Sequence, residues 1–233
     1  MSMTTRPQKA NVLYLSIVGG KMMQSVDEDH PDAEKRVFEK SDKTKGVKYE
    51  VEHRNLTGHI TGITLEKSDY GTQCRVTLES GTDKAVLSFP YESDYFMDFA
   101  KRICGADLTQ PVTLNPYSIK DEGKEYSNRG ISVKQGETKL MNHFYDPETK
   151  ETINGMPSVS EKERKTYDTD EWKVYFTNVR SFLKKQVLSL EIPKYEGVVD
   201  SVIPNTTMTS AGEEEPAGSV EDEKLPAFLR GKK

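Results

Sequence analysis

The residues of this chain best suited to chemistry are tyrosines interleaved with cations. Tyr70 and Arg75 flank the start of a strongly alternating apolar and polar stretch, and Lys84 opens the next one. Tyr117 closes a later stretch. The polar segment after it, SIKDEGKEYSNRG, carries Lys120, Lys124, Tyr126 and Arg129, and Lys134 follows in GISVKQ. Phenol rings present π faces on which bases stack, while Lys and Arg track phosphates. Each residue taken singly is ordinary surface. Taken as a set, they are the residue types that a groove for single-stranded nucleic acid would use if the fold brings them together.

Catalytic patterns are missing. VGGK (18–21) is too short for a phosphate-binding loop, which needs two glycines further apart and a Ser or Thr after the lysine; Met22 stands there. No G-x-S-x-G or H-E-x-x-H occurs. His53 and His59 have no Cys or acid pair at ligand spacing and read as surface histidines. Cys74 lies in an alternating strand pattern, and Cys104 ends an apolar helical pattern. Both read as reduced core thiols, with a disulfide as the alternative. The expectation is a non-enzyme with no metal and no cofactor.

The elements that must position the groove follow from periodicity. NVLYLSIV (11–18) predicts a strand closed by Gly19-Gly20. The charged stretch 25–46 has few apolar anchors and predicts a long loop or insertion. From Val47 an alternation begins, changes parity by Leu56 and changes again between Ile60 and Ile63. Parity changes require a bend or bulge, and Gly58 and Gly62 permit one. Residues 47–66 therefore predict one long curved strand. Cys74, Val76 and Leu78 point inward from the next strand, with Arg75 and Thr77 outward. Ala85, Leu87 and Phe89 share the inner face of a third.

Phe96, Phe99, Ala100 and Ile103 recur at helical spacing between Ser93 and Gly105. Strands at 111–117 and in GISVKQ come next, and KLMNHFY continues the last after a turn at Gly136. This order predicts a mainly β protein: a five-stranded OB-type Greek-key barrel with an added N-terminal strand and one helix between strands three and four. The rival arrangement is an open antiparallel sandwich.

Residues 146–196 predict a linker and a C-terminal amphipathic helix capped by Thr169 or Asp170. Its face of Trp172, Tyr175, Phe176, Val179, Phe182 and Leu183 is expected to pack on the barrel, with a partner subunit as the alternative. Trp172 reads as core. Residues 1–10 predict a flexible end, 11–145 the binding domain, and 197–233 a disordered acidic tail. The formal charge of −5 is uneven, since the tail carries seven acids against four basic residues. The body is close to neutral, so a polyanion needs local clustering of cations. No apolar run is long enough to span a membrane and no signal peptide is visible, so the expected location is the cytoplasm.

The tail holds Glu221, Asp222 and Glu223, then an apolar tip of Leu225, Pro226, Phe228 and Leu229. A barrel of this topology followed by such a tail resembles the single-stranded DNA-binding proteins of bacteria and phages, the phage-encoded ones most closely. The resemblance spans about residues 47–145 and the tail. It implies a protein that coats and protects exposed strands in replication or recombination, within the host cytoplasm if phage-encoded, and recruits partners through the tip. Lys224 interrupts the acidic run, Ala227 separates Pro226 from Phe228, and Arg230, Lys232 and Lys233 follow the tip, all departures from the bacterial pattern. The alternative is a structural or interaction protein, such as a virion component, with the barrel as scaffold.

Overall fold

A computed structural model describes residues 12–39, 43–69, 71–123 and 127–195. The protein is mainly β, built on one large mixed sheet that does not close. β1 (Val12–Val18) and β2 (Lys21–Val26) form a hairpin, followed by β3 (Glu34–Glu39) and β4 (Lys45–His53). β5 (Leu56–Ser68), β6 (Gly71–Ser80) and β7 (Asp83–Pro90) make a meander, and α1 (Asp94–Ile103) follows. Then come β8 (Val112–Ile119), β9 (Asn128–Gln135) and the short β10 (Thr138–Lys139). The sheet runs β10-β9-β8-β5-β6-β7-β1-β2-β4-β3. A two-residue pair, β11 (Tyr145–Asp146) and β12 (Glu151–Thr152), leads to α2 (Glu161–Thr166) and α3 (Thr169–Leu188).

Three expectations need correction. Residues 47–66 are not one strand: the chain breaks at Arg54-Asn55, and β4 pairs with β2 and β3 while β5 pairs with β6 and β8. The parity change before Leu56 is this break. The second change is a bulge, with the register shifting between Ile60 and Gly62. The charged stretch 25–46 contains β3, an edge strand with no buried residue, which is why no apolar alternation announces it. The five-stranded barrel is not closed. β1 lies parallel to β7 along Val12–Ser16 and occupies the edge that closure would require.

β5 joins the two halves of the sheet. Leu56, Thr57 and Gly58 pair with β8, and from His59 onward the strand pairs with β6. A Cβ at Gly58 would lie 2.9 Å from the carbonyl oxygen of Glu79, so this crossing needs glycine.

The core is lined by the predicted inward residues Cys74, Val76, Leu78, Leu87 and Phe89, with Ile60, Leu114, Ile131 and Val133 beside them. Phe96, Phe99, Ala100 and Ile103 of α1 fill it from one side. Ser93 caps α1, its hydroxyl accepting from the Phe96 N–H. α3 is capped by Asp168, one residue before the expected cap, through a reciprocal pair with Glu171. Val179, Leu183 and Val187 enter the same core from α3, which packs on α1. Trp172 is buried among Tyr167, Tyr175 and Phe176.

Asp98 ties α1 to the last strands. Its carboxylate accepts from the Ile131 N–H at 3.0 Å, the Arg102 Nε at 3.1 Å and the Tyr117 hydroxyl at 3.2 Å. Gly130 leaves room for this knot, since a Cβ there would meet Asp98 Oδ2 and the Tyr117 hydroxyl. Replacing Asp98 by Ala takes the acceptor from the Ile131 N–H and the ion-pair partner from Arg102, which keeps its hydrogen bond to the Leu140 carbonyl. The expected loss is about 2–4 kcal/mol, read as a lower midpoint in urea with an unchanged slope. A midpoint shift under about 0.5 kcal/mol would show that the knot does not hold α1 to β9.

Candidate nucleic-acid interface

The face of the sheet turned away from the core carries the cations. Because β5 crosses between the two halves, cross-strand register defines a continuous line on that face. Thr57, Thr113, Lys134 and Lys139 stand opposite one another on β5, β8, β9 and β10. The Thr57 and Thr113 hydroxyls are 2.9 Å apart and share a hydrogen bond. His59, two residues along β5 and so on the same face, stands opposite Glu79, which stands opposite Lys84. Arg75 lies on the same face of β6, paired with Thr64 and Ser88.

The cations differ in how they are held. The Arg75 guanidinium is ion-paired with Glu66 of the neighbouring strand. Lys84 Nζ lies 2.9 Å from Glu79, whose carboxylate also accepts from the Thr61 hydroxyl at 3.2 Å. Exposed pairs of this kind contribute only about 0–1 kcal/mol, so a phosphate can replace either carboxylate at little cost. Lys134 and Lys139 make no ion pair among the described residues.

Aromatic surface reaches this line from an unpredicted source. The chain beyond α3 brings Tyr195 onto His59, with ring centroids 4.7 Å apart and planes 25° from parallel. The Tyr195 hydroxyl oxygen accepts from the Gly81 N–H at 2.9 Å in the β6–β7 turn. Tyr14 of β1 stands opposite Val86 and is 67% exposed. Its place was legible in VLYLSIV, where Leu13, Leu15 and Ile17 point the other way. Tyr195 carries no such signal, because a contact 136 residues from His59 has no local periodicity. Lys139 was missed because a two-residue strand shows no alternation.

The remaining expected site residues divide into two sets. Tyr117, Lys120 and Arg129 lie at the opposite end of the β8–β9 ladder from Lys134, about 17 Å along β9 at the usual rise per residue. Lys120 and Arg129 are exposed, whereas Tyr117 is half-buried with its hydroxyl on Asp98. Tyr70, Lys124 and Tyr126 lie outside the described residues. So do the tail residues Leu225, Pro226, Phe228 and Leu229.

Nucleophilic chemistry has little support in the thiols. Burial raises the Cys74 thiol to about 12 and the Cys104 thiol to about 11, so both are protonated at neutral pH. Neither is in a disulfide. Among the described residues no group of three or more His, Cys, Asp or Glu is placed to hold a metal ion, and no helix is long and apolar enough to cross a membrane.

Comparison with known proteins gives no match to a family model, a curated protein or a solved structure.

Tyr195→Phe removes the acceptor for the Gly81 N–H while keeping the ring on His59. Amide exchange at Gly81 should quicken, with global stability changed by less than about 0.5 kcal/mol. Unchanged exchange at Gly81 would show that the contact is not kept in solution.

Proposed function

We propose that the chain is a single-stranded DNA-binding protein. The observation that carries this reading is the line from Lys139 and Lys134 through Thr57 and His59 to Lys84 on one face of the sheet, with Tyr195 stacked at its middle. A strand laid along it meets cations for its phosphates and a ring for its bases, without the base-edge donors that sequence readout needs. Arg75 widens the cationic strip. The OB-type reading has support in the order β5-β6-β7-α1-β8-β9 and in the pairing of β8 with β5. Under it, β1 replaces the closing contact, and the nucleic acid crosses β5, β6 and the β8–β9 ladder.

A titration of single-stranded DNA, duplex DNA and RNA at two salt concentrations tests the proposal. Single-stranded DNA should bind most tightly. If about four phosphates are neutralised, the slope of log affinity against log salt should be about −3. Lys134→Ala and Lys139→Ala should each flatten the slope by about 0.7 and weaken binding to all sequences alike. Binding independent of salt, or none at low salt, overturns the reading.

The tail completes the proposed function. Its acids compete with phosphates for the cationic strip, and a bound strand displaces them, leaving Leu225, Pro226, Phe228 and Leu229 to a replication or recombination partner. Tethering gives such a competitor an effective concentration near the millimolar range. Removing residues 211–233 should tighten DNA binding, most at low salt, while Phe228→Ala leaves affinity unchanged. Weaker binding after truncation would make the tail a DNA-contacting arm through Arg230, Lys232 and Lys233.

A further inference from the structure

β3 is an outer edge of the sheet. Among the described residues it pairs only with β4, so one side of its backbone has no strand beside it. Bare edges invite another strand, and chains usually blunt them with proline, bulges or unmatched charge. β3 has no proline, and four of its six residues, Glu34, Lys35, Arg36 and Glu39, are charged, so it admits a second strand only where those charges are matched. Its sequence, EKRVFE, reads as its own complement when a second copy is laid antiparallel about Val37. Lys35 then faces Glu39, Arg36 faces Phe38, and Val37 faces Val37. The inversion continues in the sequence, where Glu34 is matched by Lys40, a residue outside the described ones.

We infer that two copies of this chain pair through β3, forming one continuous sheet across a twofold axis at Val37. This goes beyond the proposed DNA binding and does not depend on it. Four observations support the register. Lys35 and Glu39 are exposed and make no ion pair within the described chain, so each is available to the other copy. Val37 is 56% exposed beside its cross-strand neighbour Val47, 48% exposed. Pairing sets Val47, Val37 and their two symmetry mates in one apolar row. The Arg36 guanidinium already lies 5.3 Å from the centroid of its own Phe38 ring, and the pairing offers it a second ring. Finally, β3 is fastened to its own sheet. Arg36 grips the buried Glu50 carboxylate through two nitrogens, one contact being 2.8 Å, and this hydrogen bonding holds the carboxyl below its usual range.

Registers shifted by two residues are worse. One sets Arg36 against Arg36. The other sets Phe38 against Phe38 and Val37 against Glu39. Like charges directly opposite destabilise an antiparallel pair, and opposite charges stabilise it. A twofold axis doubles every off-axis pair, such as Lys35–Glu39, whereas a residue on the axis meets its own copy once. One short strand pair buries less than an obligate interface, so the dimer is a weak, concentration-dependent one.

Sedimentation equilibrium of the full chain without nucleic acid tests this. The unmodified chain should move from monomer to dimer over a concentration series. Lys35→Glu sets carboxylates against Glu39, and Glu39→Lys sets ammonium groups against Lys35. Each alone should weaken the dimer about tenfold or more. A mixture of the two single variants should form a heterodimer, since every pair is again of opposite charge. The double variant should regain self-association. Glu39 stands opposite Lys45 of β4, so Glu39→Lys also sets like charges across β3 and β4, and circular dichroism verifies that both single variants stay folded. The proposal is overturned by a chain that stays monomeric throughout, by a dimer indifferent to single reversals, or by a mixture that does not associate. Since no DNA is present, none of these results bears on the binding reading.

Discussion

Everything in this sheet depends on the crossing of β5. A strand has two edges along its whole length, but β5 uses them at different places, with β8 at its start and β6 from His59 onward. The bulge between Ile60 and Gly62 and the close approach of Gly58 to the Glu79 carbonyl make the turn sharp enough for both. Without it the β8–β9 ladder would not be in register with the meander. α1 would lose one of its two walls, because Phe96 and Phe99 pack against a core drawn from both halves. The line of outward residues from Lys139 to Lys84 is the solvent side of the same crossing.

The second constraint is the edge of β7. Barrel closure would bring β9 there, yet β1 runs parallel along it and carries β2, β4 and β3 outward as an extension. The open sheet thus gains a second arm, and its cost is a bare edge at β3. Asp98 compensates on the other side. It binds the β9 backbone and the Tyr117 hydroxyl from α1, doing with one carboxylate what a β7–β9 ladder would have done with backbone bonds.

What was legible in the sequence was whatever repeats at a fixed period. Cys74, Val76 and Leu78, the α1 face, and most of the α3 face are core because alternation and helical spacing follow directly from which side of an element is buried. The bulge was legible too, because it breaks parity. The gap at Arg54-Asn55 was misread since a strand break and a bulge shift parity in the same way. β3 was invisible because an edge strand with no buried residue, whose half-buried face holds Arg36 beside Phe38, shows no apolar period. Of the site, Arg75, Lys84 and Lys134 could be assigned to the outer face from alternation. Their alignment could not, because it is set by cross-strand register. Tyr117 was placed on the right strand, but the Asp98 contact that occupies it comes from the helix, 19 residues away.

Tyr195 connects these threads. The last buried residue of α3 is Val187, and Leu190 and Ile192 beyond the helix still pack against the core. The residues after Ile192 carry the chain to the β6–β7 turn, where a ring stack and a backbone hydrogen bond fix it. Asp200 stands five residues further and Glu213 eighteen, within about 60 Å of Tyr195 even at full extension. Under the proposed competition, chain length alone lets these acids reach Lys84, Lys134 and Lys139. Opposite charges gain more from such a fixed origin than from net composition, because interactions beyond about 8–10 Å are screened at ordinary ionic strength. If the strip binds phosphate as proposed, a chain of net charge −5 can keep it attractive by holding its excess acids where a bound strand displaces them.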